Sequence, residues 1–349
     1  MCDSGRLINF GELRERILQF DNVLIAAHIN PDPDTLGSAL GLKWLFAKLG
    51  KAARIFCDMA VSERICGYLD IAPGIDGVVM GEGGDKGDKF DYVVAVDAAS
   101  EHMLGKSLAG REIDLVIDHH YTNSLYGREI YLDAGASATG EIIFALAKDL
   151  GVAADREFAK NIYCALVCDS GSFRYSSTTP QTMRIAAELI ETGFDFAKTN
   201  RLIFENKSLE QVAVERLAYN CLKLHGGGRI AVINITRELK KEAGLEGREI
   251  EGISAIPRII EGVEVGVLIK ETDGEKLEDK ANREFRISLR SNDYVNVAEI
   301  ASQLGGGGHV RAAGCKFTAR PGMKARHGDN PAEYLERLLI GKIEEKLEP

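Results

Sequence analysis

The sequence predicts an α/β protein with a doubly wound, mainly parallel sheet, joined by a helical linker to a smaller α/β domain. Three observations carry that prediction. Three short apolar runs, "NVLIAAHINPDPD" (22–34), "FDYVVAVDAAS" (90–100) and "IDLVIDHH" (113–120), each end in polar, acid-rich residues. Helical patterns over 35–49, 140–150, 157–168 and 181–193 lie between and after them. A second set of strand-like runs follows the glycine break "HGGGR" (225–229). With 349 residues the chain is also too long for one ordinary core.

Continuous β-branched runs of this length suit strands covered on both faces, as in parallel sheets. Their alternation with helical periods predicts βα units in which ligands bind beyond the carboxyl ends of the strands. All three runs deposit their acids and histidines there. From 194 to 224 the chain reads as charged helix, with "SLEQVAVERLAYNCLKL" its clearest part. The second domain then opens with "RIAVINIT" and continues through "GVEVGVLIKE" and "EFRISLRS". The stretch 274–284, "GEKLEDKANRE", reads as a charged hairpin loop, and "VNVAEIASQL" as a helix running into "GGGGHVRAAG" (305–314). The tail "ERLLIGKIEEKLEP" is an amphipathic helix suited to covering this domain or joining a dimer contact. The expected divisions are a catalytic domain over 1–195, a linker over 196–228 and a substrate-binding domain over 229–349, with the active site in the cleft between domains.

An apolar fraction of 45% and a charged fraction of 28% describe a soluble globular protein. With 43 basic and 53 acidic residues, the net charge of −10 excludes coating long nucleic acid through bulk electrostatics. A short anionic substrate held by a local pocket or by metal ions remains open. The seven cysteines, Cys2, Cys57, Cys66, Cys164, Cys168, Cys221 and Cys315, are odd in number and scattered, as expected of reduced thiols in the cytoplasm. The first residues contain acids and arginines without an apolar core, so no signal peptide is expected, and no run is long enough to span a bilayer.

His28 closes the first run, and Asp32 and Asp34 follow two apart in a proline-stiffened loop. Alternate residues of an extended segment face opposite ways, so each carboxylate could address a different ion. Asp34 or Thr35 could equally cap the next helix. Asp97 ends the second run, His119 the third, and Asp169 sits in "LVCDSGSFRYSST" after a helix. Singly, these read as a capping acid, a core histidine and a turn acid. Together they form the ligand inventory of a two-metal site. Mixed carboxylate and imidazole favours Mn²⁺, with Mg²⁺, Co²⁺ or Zn²⁺ as rivals.

The ordered set His28 to Asp34, Asp97, Asp118-His119-His120 and Asp169, with "SLRS" (288–291) and "GGGGHVRAAG" near the other end, resembles the DHH phosphoesterase superfamily and its DHH-associated C-terminal domain. The match spans roughly 20–317 and is most similar to the NrnA-type branch, which degrades very short oligoribonucleotides and dephosphorylates 3′-phosphoadenosine 5′-phosphate. The resemblance implies His28, Asp32 and Asp97 around one ion. It places Asp34, Asp97, His119 and Asp169 around the other, with Asp97 shared. Asp118 would orient a ligand histidine and His120 would face the substrate phosphate, so that His120, Asp118 and Asp97 are the expected catalytic residues. Pro33 stands where the family usually has glycine, and "DAAS" after Asp97 is not its commonest continuation.

The implied chemistry is hydrolysis by a hydroxide activated between two divalent cations. Arg290, Ser291, Gly307, Gly308 and His309 are the expected substrate contacts. Arginine can grip a phosphate bidentately, and glycines let backbone N–H groups approach an anion. Arg311 is a weaker candidate, and Arg174 reads as the partner of an acid. Trp44 reads as core, and His102, His225 and His327 as surface or structural. Expected partners are short RNA, dinucleotides and nucleotide bisphosphates, without long duplex nucleic acid or membrane, and with a homodimer implied by the family. The rival readings are a cyclic or linear dinucleotide phosphodiesterase, a RecJ-like single-strand exonuclease, and a catalytically dead nucleotide sensor.

Overall fold

The computed structural model describes residues 5–29, 31–58, 72–81, 89–248, 250, 252–272, 283–319 and 330–347. Most of the expected charged loop at 274–284, together with Cys2, Cys66 and His327, lies outside them. The chain forms two compact units, Met1–Asn206 and Lys207–Pro349. Their boundary falls within the segment read as a linker.

The first unit is built on seven strands: β1 (Arg6–Leu7), β2 (Asn22–Ala27), β3 (Ala52–Cys57), β4 (Val78–Met80), β5 (Tyr92–Val96), β6 (Leu115–Asp118) and β7 (Glu129–Leu132). All pair in parallel, in the order β1-β7-β6-β5-β2-β3-β4. Both faces are covered: Val23, Ile25 and Ala27 of β2 join one apolar cluster, Leu24 and Ala26 the other. The strand order runs outward in opposite directions from the β2–β5 pair. The crevice at the carboxyl ends of that pair is where such a sheet binds its ligand.

Among the described residues of the first unit, the helices of ten or more residues are α1 (Phe10–Gln19), α2 (Pro33–Lys48), α3 (Thr139–Asp149), α4 (Arg156–Asp169) and α5 (Pro180–Glu191). Glycines decide how closely α2 and α4 approach. A methyl group at Gly37 would sit 2.5 Å from the Asn161 carbonyl, and one at Gly41 would sit 2.6 Å from Ile162 Cδ1. This close packing brings Asp169, at the end of α4, toward the start of α2. No helix among the described residues is long and apolar enough to cross a membrane.

The second unit holds a mixed six-stranded sheet in the order β12-β13-β11-β10-β9-β8. Its strands are β8 (Leu222–His225), β9 (Ile230–Ile235), β10 (Val265–Glu271), β11 (Arg283–Ser291), β12 (Gly307–His309) and β13 (Ala312–Ala319). Helices Val297–Ser302 and Pro331–Glu344 supply Val297, Ile300, Leu335, Leu339 and Ile343 to one apolar face, so the tail helix does cover this domain. One reading changes. "CLKL" is not the end of a helix, since Leu222–His225 pairs with β9 as a strand. In the glycine run, Gly307–His309 pairs antiparallel with Ala312–Gly314 as the sheet's outermost strand.

Candidate metal centre

The ends of three neighbouring strands deliver donors. His28 follows β2 and is buried, with its backbone carbonyl accepting from Cys57 Sγ at 3.2 Å. Asp97 follows β5 in the left-handed region (φ 58°), a conformation that aspartate tolerates better than most residues and that turns its carboxylate into the crevice. Asp118, His119 and His120 close β6.

The helix α2 starts earlier than its sequence suggested. Asp32 is the N-cap, accepting from Thr35 N at 3.0 Å, with Pro33 at the first helical position. Neither Asp34 nor Thr35 caps α2. Asp34 instead caps α3, whose own cap residue Ala138 has no side-chain acceptor. Its carboxylate accepts from Thr139 N at 2.8 Å and Gly140 N at 3.0 Å, where the helix dipole favours an anion.

The donors fall into overlapping groups. His28, Asp32 and Asp97 bring ligand atoms within 4.8 Å of one another; so do Asp34, His119 and Asp169, and so do Asp97, His119 and His120. Asp32 and Asp34 thus contribute to different groups. His119 Nδ1 is hydrogen-bonded to the Ala136 carbonyl at 3.1 Å, which directs Nε2 inward. That Nε2 is buried without a hydrogen-bond partner among the described residues. It faces Asp169 Oδ2 at 3.2 Å and Asp34 Oδ2 and Asp97 Oδ1 at 3.7 Å each.

Asp118 holds the ring of His120 rather than that of the inward-facing His119, from whose backbone N–H its Oδ1 also accepts at 2.8 Å. Its Oδ1 lies 2.8 Å from His120 Nδ1, and its Oδ2 accepts from Asn123 Nδ2 at 2.6 Å. The residue therefore fixes the ring of His120, whose side chain is half-exposed.

Electrostatics report crowding. Burial, reinforced by Asp169, pushes the Asp34 carboxyl up to about 7. Burial, then Asp34 and Asp32, lifts Asp97 well above the usual carboxylate range. Burial disfavours a charged His119, but the Asp169 carboxylate 3.2 Å from its Nε2 and the field of Asp34 raise it to about 9. Burial lowers His28. For Asp118, burial acts upward, but the hydrogen bonds from His120 and Asn123 outweigh it and hold the carboxyl low. The bond to Asp118 raises His120 in turn. Among the described residues no lysine or arginine offsets these carboxylates.

The donor set fits divalent cations. Hard carboxylate oxygens and an imidazole nitrogen with no hydrogen-bond partner among the described residues converge in the crevice, and cations would relieve the repulsion. Two hydroxyls escaped the sequence reading: Thr35 Oγ1 and Thr139 Oγ1 donate to Asp97 at 2.7 and 2.9 Å. A threonine at the first position of α3, facing the strand ends, was the available signal.

In the second unit, Arg290, Ala312 and His309 are paired across β11, β13 and β12, so their side chains share one face of the sheet. Arg290 is half-buried, and its Nη1 donates to the Leu289 carbonyl at 3.0 Å. Ser291 is buried, its Oγ 3.5 Å from the Val310 carbonyl and its N–H bonded to the Arg311 carbonyl at 3.1 Å. A side chain at Gly308 would collide with Ala312 O, whereas Gly307 faces open space.

Family models describe the two parts of the chain: the DHH family, N-terminal domain matches residues 22–167, and the DHHA1 domain matches residues 211–337. A bifunctional oligoribonuclease and PAP phosphatase NrnA of Thermus thermophilus is 32% identical over 294 residues, covering 84% of this chain and 83% of the relative. A protein of the same description from Bacillus subtilis is 26% identical, covering 88% and 92%. A solved exopolyphosphatase-related protein from Bacteroides fragilis shares the fold, with a TM-score of 0.80 over 96% of each chain at 21% identity.

Proposed function

The chain belongs to the DHH family, and on that premise we propose that it hydrolyses short oligoribonucleotides and removes phosphate from 3′-phosphoadenosine 5′-phosphate with the aid of divalent cations. It is a phosphoesterase of the hydrolase class. The observation that carries the reading is the buried Nε2 of His119, turned by the Ala136 carbonyl toward three carboxylates and without a hydrogen-bond partner among the described residues.

His28, Asp32 and Asp97 would hold one cation, and Asp34, Asp97, His119 and Asp169 the other; Mn²⁺ is the ion we assign. When bound, such cations offset phosphate charge and make water nucleophilic near neutral pH. The chain's own groups do the rest. Thr35 and Thr139 fix the Asp97 carboxylate from two sides. Asp118 ties down His120 Nδ1, leaving Nε2 to donate a hydrogen bond or a proton to a phosphate-ester oxygen. Arg290, Gly307, Gly308 and His309 contact the nucleotide, and Ser291 supports them through the Val310–Arg311 turn that it anchors. The thermophilic and Bacillus relatives carry both activities in their names, which supports assigning both here.

The test is purified protein with Mn²⁺ against short RNA, long RNA, linear and cyclic dinucleotides, and 3′-phosphoadenosine 5′-phosphate. Turnover of short RNA and of the bisphosphate, abolished by chelator, is expected. Turnover confined to long RNA or to cyclic dinucleotides, or turnover indifferent to chelator, would contradict the proposal.

A further inference from the structure

Resting on the phosphoesterase reading, we infer that Arg174 is a substrate-binding residue, its guanidinium holding the non-bridging oxygens of the scissile phosphate. The argument starts from charge. The carboxylates of Asp32, Asp34, Asp97 and Asp169 are matched by two divalent cations, so an arriving phosphate ester adds negative charge that the centre itself does not cancel. More develops in the transition state. No lysine or arginine among the described residues contacts any of these acids. Besides His120 and Arg290, a cation on the rim of the centre is suited to meet that charge.

One rim segment continues directly from a donor of the centre, the turn that follows Asp169. Gly171, Ser172 and Phe173 stand consecutively in the left-handed region, at φ 59°, 60° and 62°. Two of the three are not glycine, and such a run is unfavourable unless its surroundings enforce it. Ser170 enforces it: its carbonyl accepts from Arg174 N and Tyr175 N at 3.0 Å each, and its Oγ accepts from Phe173 N at 3.0 Å. The Tyr175 ring lies against Gly171, where a methyl group would collide with it. The turn is therefore a rigid mount attached directly to a metal-ligand candidate.

Arg174 is what the mount presents. It is exposed, and its Nε donates to the Gly171 carbonyl at 2.6 Å. The sequence suggested pairing with an acid, but among the described residues it has no carboxylate partner. Tethering Nε to a backbone oxygen two residues beyond Asp169 fixes the plane of the guanidinium and leaves both Nη groups as a two-pronged donor. That fork matches phosphate oxygens, and an ammonium does not reproduce it.

The experiment compares wild type, Arg174→Ala and Arg174→Lys with Mn²⁺ on a 5′-phosphorylated diribonucleotide and on bis(p-nitrophenyl) phosphate. Mn²⁺ stoichiometry and melting temperature are recorded for each. Arg174→Ala is expected to lose about 10²-fold in kcat on both substrates, since the scissile phosphate is common to them. Arg174→Lys should recover only part of that, and both variants should keep wild-type metal binding and melting. A kcat within about twofold of wild type on both substrates would overturn the inference. So would a loss that travels with lost Mn²⁺, which would make Arg174 a support for Asp169. Wild type inactive on every phosphodiester would defeat the phosphoesterase reading itself, and this inference with it.

Discussion

Both units bury carboxylates, and they treat them in opposite ways. In the second unit Glu264 accepts from the amides of Asp293, Tyr294 and Val295 at 3.0, 2.9 and 2.7 Å. Glu271 meets Arg283 Nε and Nη2 at 2.6 Å each. Glu336 pairs with Lys223 at 3.1 Å and Asn234 at 2.9 Å. Every one of these acids has its counterpart inside the fold. In the crevice of the first unit, Asp34 and Asp97 are at least as buried and also accept hydrogen bonds, from two backbone amides and two threonine hydroxyls respectively, yet they face other acids rather than standing apart. A buried carboxylate is therefore not in itself a sign of function. A cluster of buried carboxylates whose mutual repulsion no lysine or arginine among the described residues offsets is, because uncompensated buried charge is unfavourable enough to need a reason.

The comparison breaks first, and most visibly, at Asp97. Asp97→Asn should reduce kcat by about 10³-fold or more. In metal-free protein it should leave the melting temperature unchanged or raised, because it removes one member of a mutually repelling set. A lowered melting temperature with retained turnover would mean that Asp97 is a structural acid like Glu271. Arg283→Ala is the mirror experiment. Among the described residues it leaves Glu271 with only Arg237, whose backbone N–H donates at 3.1 Å and whose Nε lies 3.5 Å away, and should cost about 2 kcal/mol in denaturant unfolding, with activity per folded molecule preserved.

The smallest effect concerns an acid paired at the margin. Glu129 is held down to about 2 by its hydrogen bonds to Arg16 and then Arg6, outweighing partial burial. A lowered folded-state value means that its stabilisation is complete above the unfolded carboxylate range near 4.5 and fades as pH falls through about 2. Melting temperature measured across that window should drop more steeply for wild type than for Glu129→Gln. Parallel curves would show that the cluster contributes no linkage.

Much of this division was legible in the sequence, and the reasons for the remainder are local. The strands β2, β5 and β6 stand out because they are apolar on both faces, and their terminal acids and histidines mark the crevice. The other strands of the sheet do not. Leu7 is exposed in a two-residue β1, β3 carries Arg54 in its middle, and β7 begins with the ion-paired Glu129. β12 is mostly glycine, a residue with no strand preference of its own, and its pairing comes from Ala312–Gly314 across the turn. The helix α1 was readable through its capping box, Asn9 with Glu12, and was overlooked in a charged segment. The donors of the centre were legible as residue types, but their mutual orientation was not. Whether Asp118 served His119 or His120 depended on the turn that carries Asn123, and residue spacing does not encode that.

The most direct test of the central claim is an anomalous difference map from crystals of the wild-type protein grown with Mn²⁺. Two peaks are predicted, one bonded to His119 Nε2 and one beside His28, with Asp97 touching both. A chelator-sensitive, active protein whose map shows no peak at His119 would contradict the account.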